Sequence, residues 1–458
     1  MFEFGRELKR LFGSDGVPGS HKDGLTGGDA ALLELLPLKM LIAEAKAADV
    51  AAGRIGEKDK GARELQAAIV WREVARRSGD AIALRKAAAT AQSAARKFDE
   101  ATFDIGRRAE GRARAKVEQA RCAMLGAELF GDDGLDAAAE SAFKEAGRGT
   151  GAASALAAAG LAVLAGRKAL ARGDAEAVRA AARAFREPII ALEAAGRRDN
   201  AQKIAAAEAR AERADILAGA GQRLKDASLV RAAIADLEAA AGHLDPAYEP
   251  LAWSRIDGLR AGCRVALGEL VGDVGMIADA VSALADALEG QSRDHSPLDW
   301  ARGQAALALG LQSLGEAGLN EQAFEKAVTC FDRAALALKR APGLALRAVI
   351  ASNRAVCLAR SAELTGDLAV LDAAELAFKG ELATGPHRRD PVAWALIQVH
   401  LGRLYEARME ITGRDKGERT AAAVAFDAAL EVFSDEGLRS LADVAAQGLA
   451  RMRALSLV

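Results

Sequence analysis

The sequence predicts an all-α chain, a solenoid of about eight stacked helical hairpins closed by a C-terminal capping helix. Three observations carry this. Pro250-Leu251-Ala252-Trp253, Pro297-Leu298-Asp299-Trp300 and Pro391-Val392-Ala393-Trp394 are spaced by 47 residues and then by 94, twice 47. A turn breaker followed by Asp or Asn recurs eight times along the chain. The composition is 51% hydrophobic but only 4% aromatic, with much of the apolar share in Ala. A fixed period of this size marks a repeat architecture, in which length adds repeats and not domains. Alanine favours helices and lets their axes approach, while Val, Thr and Tyr are too sparse for a strand-based fold.

Residues 1–12 read as a short basic amphipathic helix. Phe4, Leu8, Leu11 and Phe12 share one helical face, with Arg6, Lys9 and Arg10 opposite. Three roles are open to it: a cap on the first repeat, a docking peptide for another protein, or a membrane-surface anchor. Residues 13–28 hold six Gly and read as a flexible linker. The N-terminus shows no signal-peptide pattern. The longest apolar run, Ala152 to Ala165, is too short for a membrane span and reads as a buried repeat helix. A cytoplasmic location is expected, with contact to the inner face of a membrane only through residues 1–12.

From about residue 38 the hairpins follow one another. Divergent repeats occupy 29–225, regular 47-residue repeats 226–433, and the capping helix 434–458. Their markers are Gly79-Asp80, Gly131-Asp132, Gly173-Asp174, Lys225-Asp226, Gly272-Asp273, Leu319-Asn320, Gly366-Asp367 and Arg414-Asp415. Asp and Asn accept hydrogen bonds from the first-turn amides of a helix, and Gly supplies the left-handed residue that ends the helix before. Eleven residues after each marker stands an anchor: Phe143, Phe185, Leu237, Leu284, Phe331, Phe378 and Phe426, with Ala91 as a weak first copy. Each repeat is helix A, turn, helix B, loop. Pro is well placed to open the next helix A, with Ser296 and Asp390 as caps. In the copy that lacks Trp, Arg347 takes its place. Trp253, Trp300 and Trp394 share one register, so they belong to the repeat core and not to a ligand cage.

These residues resemble the tetratricopeptide repeat. Trp394, Leu401-Gly402, Tyr405, Ala425, Phe426 and Ala429-Leu430 follow its pattern, as do Trp300, Leu307-Ala308, Leu311, Ala327, Phe331 and Ala334. The small position recurs as Ala261, Ala308, Ala355 and Gly402. The likeness is to long-repeat bacterial arrays and is strongest over residues 230–433. It implies a right-handed superhelix whose concave groove, lined by the A helices, binds a protein or peptide. About 13 extra residues per repeat imply longer helices and a longer A–B turn. Carried over position by position, the groove includes Arg255, Arg302 and Arg403 as anchors for acidic groups, with Asn353 and Glu406 beside them. Asn353 alone matches the carboxylate clamp of chaperone-binding relatives, which disfavours that mode.

Charge and chemistry narrow the function. Net charge is −2, which argues against nucleic acid as a partner. Residues 60–121 carry 15 basic and 8 acidic side chains (+7), and residues 226–300 carry 5 and 13 (−8). In an elongated molecule these lie as separate stretches. Cys122, Cys263, Cys330 and Cys357 show no paired spacing and read as packing residues. No catalytic motif is present. His243, His295 and His387 sit in loops beside acids as solvated capping residues. No metal and no cofactor are expected. The chain reads as a non-enzymatic scaffold or adaptor; a peripheral membrane organiser and a regulatory subunit of an enzyme complex are the alternatives.

Overall fold

The computed structural model describes residues 30–454 except 55–56, 101–104, 133, 150, 198, 342 and 384–389. Phe4, Leu8, Leu11 and Phe12, the linker 13–28 and His387 therefore lie outside the described residues. Every regular element described is a helix. In chain order they are α1 (Ala30–Leu35), α2 (Leu38–Arg54), α3 (Glu57–Ser78), α4 (Ala81–Glu100), α5 (Ile105–Phe130), α6 (Gly134–Ala146) and α7 (Ala152–Arg172). Next come α8 (Ala175–Ala184), α9 (Arg186–Gly196), α10 (Asn200–Leu224), α11 (Ala227–Ala241), α12 (Pro250–Val271) and α13 (Val274–Glu289). The last are α14 (Pro297–Gly318), α15 (Glu321–Ala337), α16 (Ala345–Thr365), α17 (Leu368–Ala383), α18 (Pro391–Thr412), α19 (Glu418–Asp435) and α20 (Arg439–Ala454). The pairs α3/α4 through α18/α19 are eight hairpins, with α8 and α9 together forming one B arm. Helices α1 and α2 precede them and α20 caps the end.

One hinge makes every hairpin. A residue at positive φ closes each A helix: Gly79, Gly131, Gly173, Lys225, Gly272, Leu319, Gly366 and Gly413. The next Asp or Asn turns its carboxylate or amide oxygen onto the first amides of the B helix, as Asp174 does to Glu176 and Ala177 and Asp273 to Met276. In the last hairpin the left-handed residue is Gly413, one before the expected Arg414, and Asp415 caps the following turn. The hinge is two residues long in six of the eight hairpins, so the expected longer A–B turn is found only in the second and the last, at 131–133 and 413–417. The extra length lies in the helices, 22 residues in α12 and 16 in α13, and in B–A loops such as 290–296. Pro250, Pro297 and Pro391 open their helices. Asp390 caps α18 through the Ala393 amide, but Ser296 caps nothing. Its hydroxyl donates instead to Asp299 at 2.7 Å.

The third B arm breaks at Phe185. Pro188 cannot donate to the carbonyl of Ala184, and its ring crowds that carbonyl, so α8 stops there and α9 resumes at Arg186. The seven large anchors from Phe143 to Phe426 are all buried. They face small residues on the A helices: a Cβ on Gly160 would come within 2.3 Å of the Phe143 ring, and one on Gly402 within 2.8 Å of Phe426. Trp253, Trp300 and Trp394 are half-buried against the repeat cores. All four cysteines are free and buried. Helix α7 is long and apolar enough to cross a membrane by length and composition, but half of its apolar window is buried among neighbouring helices.

The array closes on itself. Helix α3 of the first hairpin packs on α14 of the sixth, α5 of the second on α16 of the seventh, and α1 on α10 and α12. One apolar core therefore joins Leu41, Val74, Leu84 and Leu125 to Leu298, Phe331 and Ile350. At Gly79 a Cβ would meet the Leu344 side chain at 2.7 Å, so glycine there serves both the left-handed hinge and the closure. The charge asymmetry of the sequence is not spread along an elongated body. The basic first hairpin meets the acidic sixth, with Arg76 on Asp299.

Three outcomes follow from this packing. Gly160→Ala lowers unfolding free energy by about 2 kcal/mol through overpacking on Phe143, whereas Gly258→Ala, with nothing within 4 Å, raises it by about 1 kcal/mol through helix propensity. Leu319 holds φ 48° with 74% of its surface exposed, so Leu319→Gly stabilises by about 1 kcal/mol. Urea denaturation of the single variants measures all three.

Candidate functional site

The A helices present their polar side chains to one concave face, and in the first six hairpins that face is filled with ion pairs. At its centre lies Glu73 on α3. Arg76 Nη2 donates to Glu73 at 2.8 Å and Arg77 Nε at 2.6 Å. Arg76 also makes a forked pair with Asp299 of α14, at 2.8 and 3.1 Å. Around them Arg72 bonds Glu118, Arg121 bonds Glu208 at 2.9 Å, and Arg302 bonds Glu128. Arg255 is shared among Glu208 at 3.2 Å, Glu34 at 3.7 Å and Asp299 at 3.8 Å. Its Nη1 is buried without a hydrogen bond.

A second knot ties down α1. Arg77, fully buried, donates to the carbonyls of Leu36 and Leu33 at 2.7 and 2.8 Å. His295 Nε2 meets the Glu34 carbonyl at 2.6 Å. His295 is thus not a solvated cap as its loop position implied. The Glu34 carboxylate accepts from the backbone amides of Leu251 and Ala252 at 3.1 and 3.0 Å, at the N-terminus of α12.

The titration of these groups follows from burial set against charge. Burial would raise Asp299, but Arg76, Arg255, Arg302 and the Ser296 hydroxyl overcome it and hold the carboxyl at about 2. Glu73 is likewise held well below the usual range: burial opposes, and Arg76 and Arg77 prevail. For Glu34 burial wins over Arg255 and the Ala252 amide, and its carboxyl is pushed up. Burial lifts Glu212 to about 7, helped by Glu128, Asp215 and Glu208 and opposed by Arg167.

The sequence-derived groove residues therefore divide. Arg255 and Arg302 face carboxylates of their own chain. Asn353 is half-buried on α16 and makes no side-chain hydrogen bond among the described residues. Glu406 is held by Arg451 of α20 at 2.6 and 2.9 Å. Arg403 is half-buried on α18 and has no hydrogen bond or ion pair among the described residues. Burial and the neighbouring Arg360 lower its pKa. Beside it His400 stacks on Phe378 with ring centroids 5.6 Å apart, and burial with Arg403 and Arg360 lowers it to about 4. Sequence spacing did not point to Glu34, Arg76 or Asp299, because they meet partners more than 200 residues away in the chain. Among the described residues no group of three or more His, Cys, Asp and Glu side chains could hold a metal ion.

Asp299 carries a pH dependence. Its carboxyl lies at about 2 in the fold against an ordinary 3.8, so its stabilisation of about 2 kcal/mol is complete above pH 4 and disappears as pH falls toward 2. Asp299→Asn removes that acid limb and costs about 3 kcal/mol at pH 7, because buried Arg76 keeps only Glu73 as a counter-charge. Urea denaturation followed by circular dichroism at pH 2, 4 and 7 separates the two effects.

No protein-family model matches the chain, and no curated protein matches it. Solved structures do. A Rap protein complexed with Competence and Sporulation Factor is 12% identical, with TM-score 0.50, over 86% of this chain and 98% of its own. Aspartyl phosphate phosphatase F from Bacillus subtilis is 12% identical at TM-score 0.38, covering 88% and 95%. A human IFIT1 dimer with PPP-AAAA is 12% identical at TM-score 0.38, covering 99% and 100%. The exclusion of nucleic acid drawn from net charge gains no support from these neighbours. What the Rap likeness and the hairpin architecture establish is the fold: this chain is an all-α, tetratricopeptide-like helical-repeat solenoid.

Proposed function

We propose that this chain is a non-enzymatic scaffold that binds a protein or peptide through the A-helix face of its C-terminal hairpins, α16, α18 and α20. The carrying observation is Arg403, a half-buried arginine with no ion pair of its own among the described residues. The corresponding arginines of the earlier hairpins are engaged by Glu34, Glu128, Glu208 and Asp299, so the early face is closed to an acidic ligand while the late face is not. Among the large apolar side chains of α16, Val349 is 52% exposed. A partly desolvated arginine without an ion pair suits recognition of a carboxylate. The Rap protein that shares the fold was solved with a bound factor, which supports a ligand-binding role for an array of this kind.

Arg403→Glu abolishes retention of the partner that full-length protein co-purifies, at unchanged melting temperature. Asn353→Ala weakens it by about tenfold or less. Equal retention by Arg403→Glu and wild type overturns the site.

A further inference from the structure

The third B arm is parted at Phe185 into α8 and α9, and a groove opens beside that break. It lies between the B arms of the third and fourth hairpins, with α10 contributing to its lining, and has a volume of about 630 Å³. That is the size of a small-molecule site. Its charge is one-sided. Arg179, Arg183 and Arg186 stand at i, i+4 and i+7 along the arm, and Arg213 joins them from α10. Like charges at this spacing repel one another. Only two carboxylates line the groove, Glu187 and Asp236, so four guanidiniums face two negative charges.

The four arginines are not equivalent. Arg213 is fixed by Asp236, its Nε donating at 2.6 Å, and Arg179 approaches Asp226 at 3.8 Å. Arg183 and Arg186 are exposed and have no hydrogen bond or ion pair among the described residues. Between them and α10 the lining is apolar, with Ala182 and Leu217 both buried. The groove therefore combines two open guanidinium forks, a surplus of two positive charges and an apolar floor.

We infer that this groove binds a phosphomonoester carried on an apolar body. Such a group is close to a dianion at pH 7 and has three acceptor oxygens. Its charge matches the surplus, and its oxygens match the planar forks of Arg183 and Arg186. A single carboxylate would leave half of that surplus unanswered. The body lies on Ala182 and Leu217. The groove belongs to other hairpins than the Arg403 face, and neither site depends on the other.

The test is calorimetric titration of full-length protein with 1-naphthyl phosphate. Wild type binds it saturably, and the double variant Arg183→Gln/Arg186→Gln binds it about tenfold or more weakly. Both residues are exposed, so the melting temperature of the variant does not fall. Should it fall, Arg186→Lys keeps the charge, loses the fork and still weakens binding severalfold. Inorganic phosphate, without the body, and 1-naphthyl sulfate, with one charge, each bind about tenfold more weakly than 1-naphthyl phosphate. A phosphotyrosyl hexapeptide that binds more tightly than 1-naphthyl phosphate places the phosphate on a protein side chain, and the reverse order places it on a small molecule; either supports the site. Arg403→Glu leaves the binding unchanged, which separates this groove from the C-terminal face. No saturable binding of 1-naphthyl phosphate, equal affinity of wild type and the double variant, or equal affinity for inorganic phosphate overturns the proposal.

Discussion

Everything in this molecule depends on a short hinge. A helix ends in a left-handed residue, and an Asp or Asn immediately caps the next one. The hinge fixes the angle between the two arms of each hairpin, and so which faces meet. Because it recurs in register, B-helix anchors fall beside small residues of the A helices: Phe143 on Gly160, Leu284 on Gly310, Phe426 on Gly402. Such contacts let axes approach more closely than two large side chains would permit. Where the hinge residue is not glycine, at Lys225 and Leu319, the same geometry is held against the steric cost of a Cβ. The packing on both sides thus outweighs a local strain of about 1 kcal/mol.

This local grammar is what the sequence exposes. Hinge residues, caps and anchors act over a dozen residues, and repetition at one period makes them visible against an Ala-rich background. The hidden features are those that act over distance. The closure joins residues 33–129 to residues 261–357 in a single core, and no periodic signal relates those two stretches. The charge asymmetry was the one trace of it: a basic N-terminal stretch and an acidic later one, which read in an elongated molecule as separate stretches. In the folded chain they meet. Ser296 shows the same shift at one residue. Its position ahead of Pro297 suits a cap, yet its hydroxyl is drawn to Asp299, whose charge the closure requires. For the candidate site, register found Arg255, Arg302 and Arg403 alike, but only the closure distinguishes the two engaged arginines from the third.

The ion network at the closure does more for uniqueness than for strength. Removing charges from water costs several kcal/mol per ion, and apolar contacts of equal volume would hold the same surfaces at least as firmly. What apolar contacts cannot do is reject neighbouring registers. Arg76 and Arg77 are adjacent on α3, and side chains one residue apart point about 100° from each other. Arg76 reaches Asp299 on one side while Arg77 reaches the end of α1 on the other, with Glu73 bonded to both. Rotating α3 by one residue would leave a buried guanidinium without acceptors, a penalty of about 3–5 kcal/mol. The leucines and alanines around the pair would tolerate that slip; the arginines forbid it.

That division of labour explains why the two ends of the array are suited to different tasks. The first six hairpins spend their concave charges on one another, so their geometry is determined and their face is closed. Helix α16 of the seventh hairpin still packs on α5, and the eighth hairpin and α20 lie beyond the closure. Their charges pair along the row, Arg451 with Glu406 and Arg360 with Glu363, and leave Arg403 between them. Arg360 and Arg451 lower its pKa while Glu363 and Glu406 raise it, so its guanidinium is contested by all four neighbours and bonded by none. The closed part of the array therefore supports an end on which one arginine is desolvated by folding, where the proposed ligand would bind. Part of the desolvation that binding a carboxylate requires has already been met by folding, and the energy that did so came from the apolar packing of α16, α18 and α20 around it.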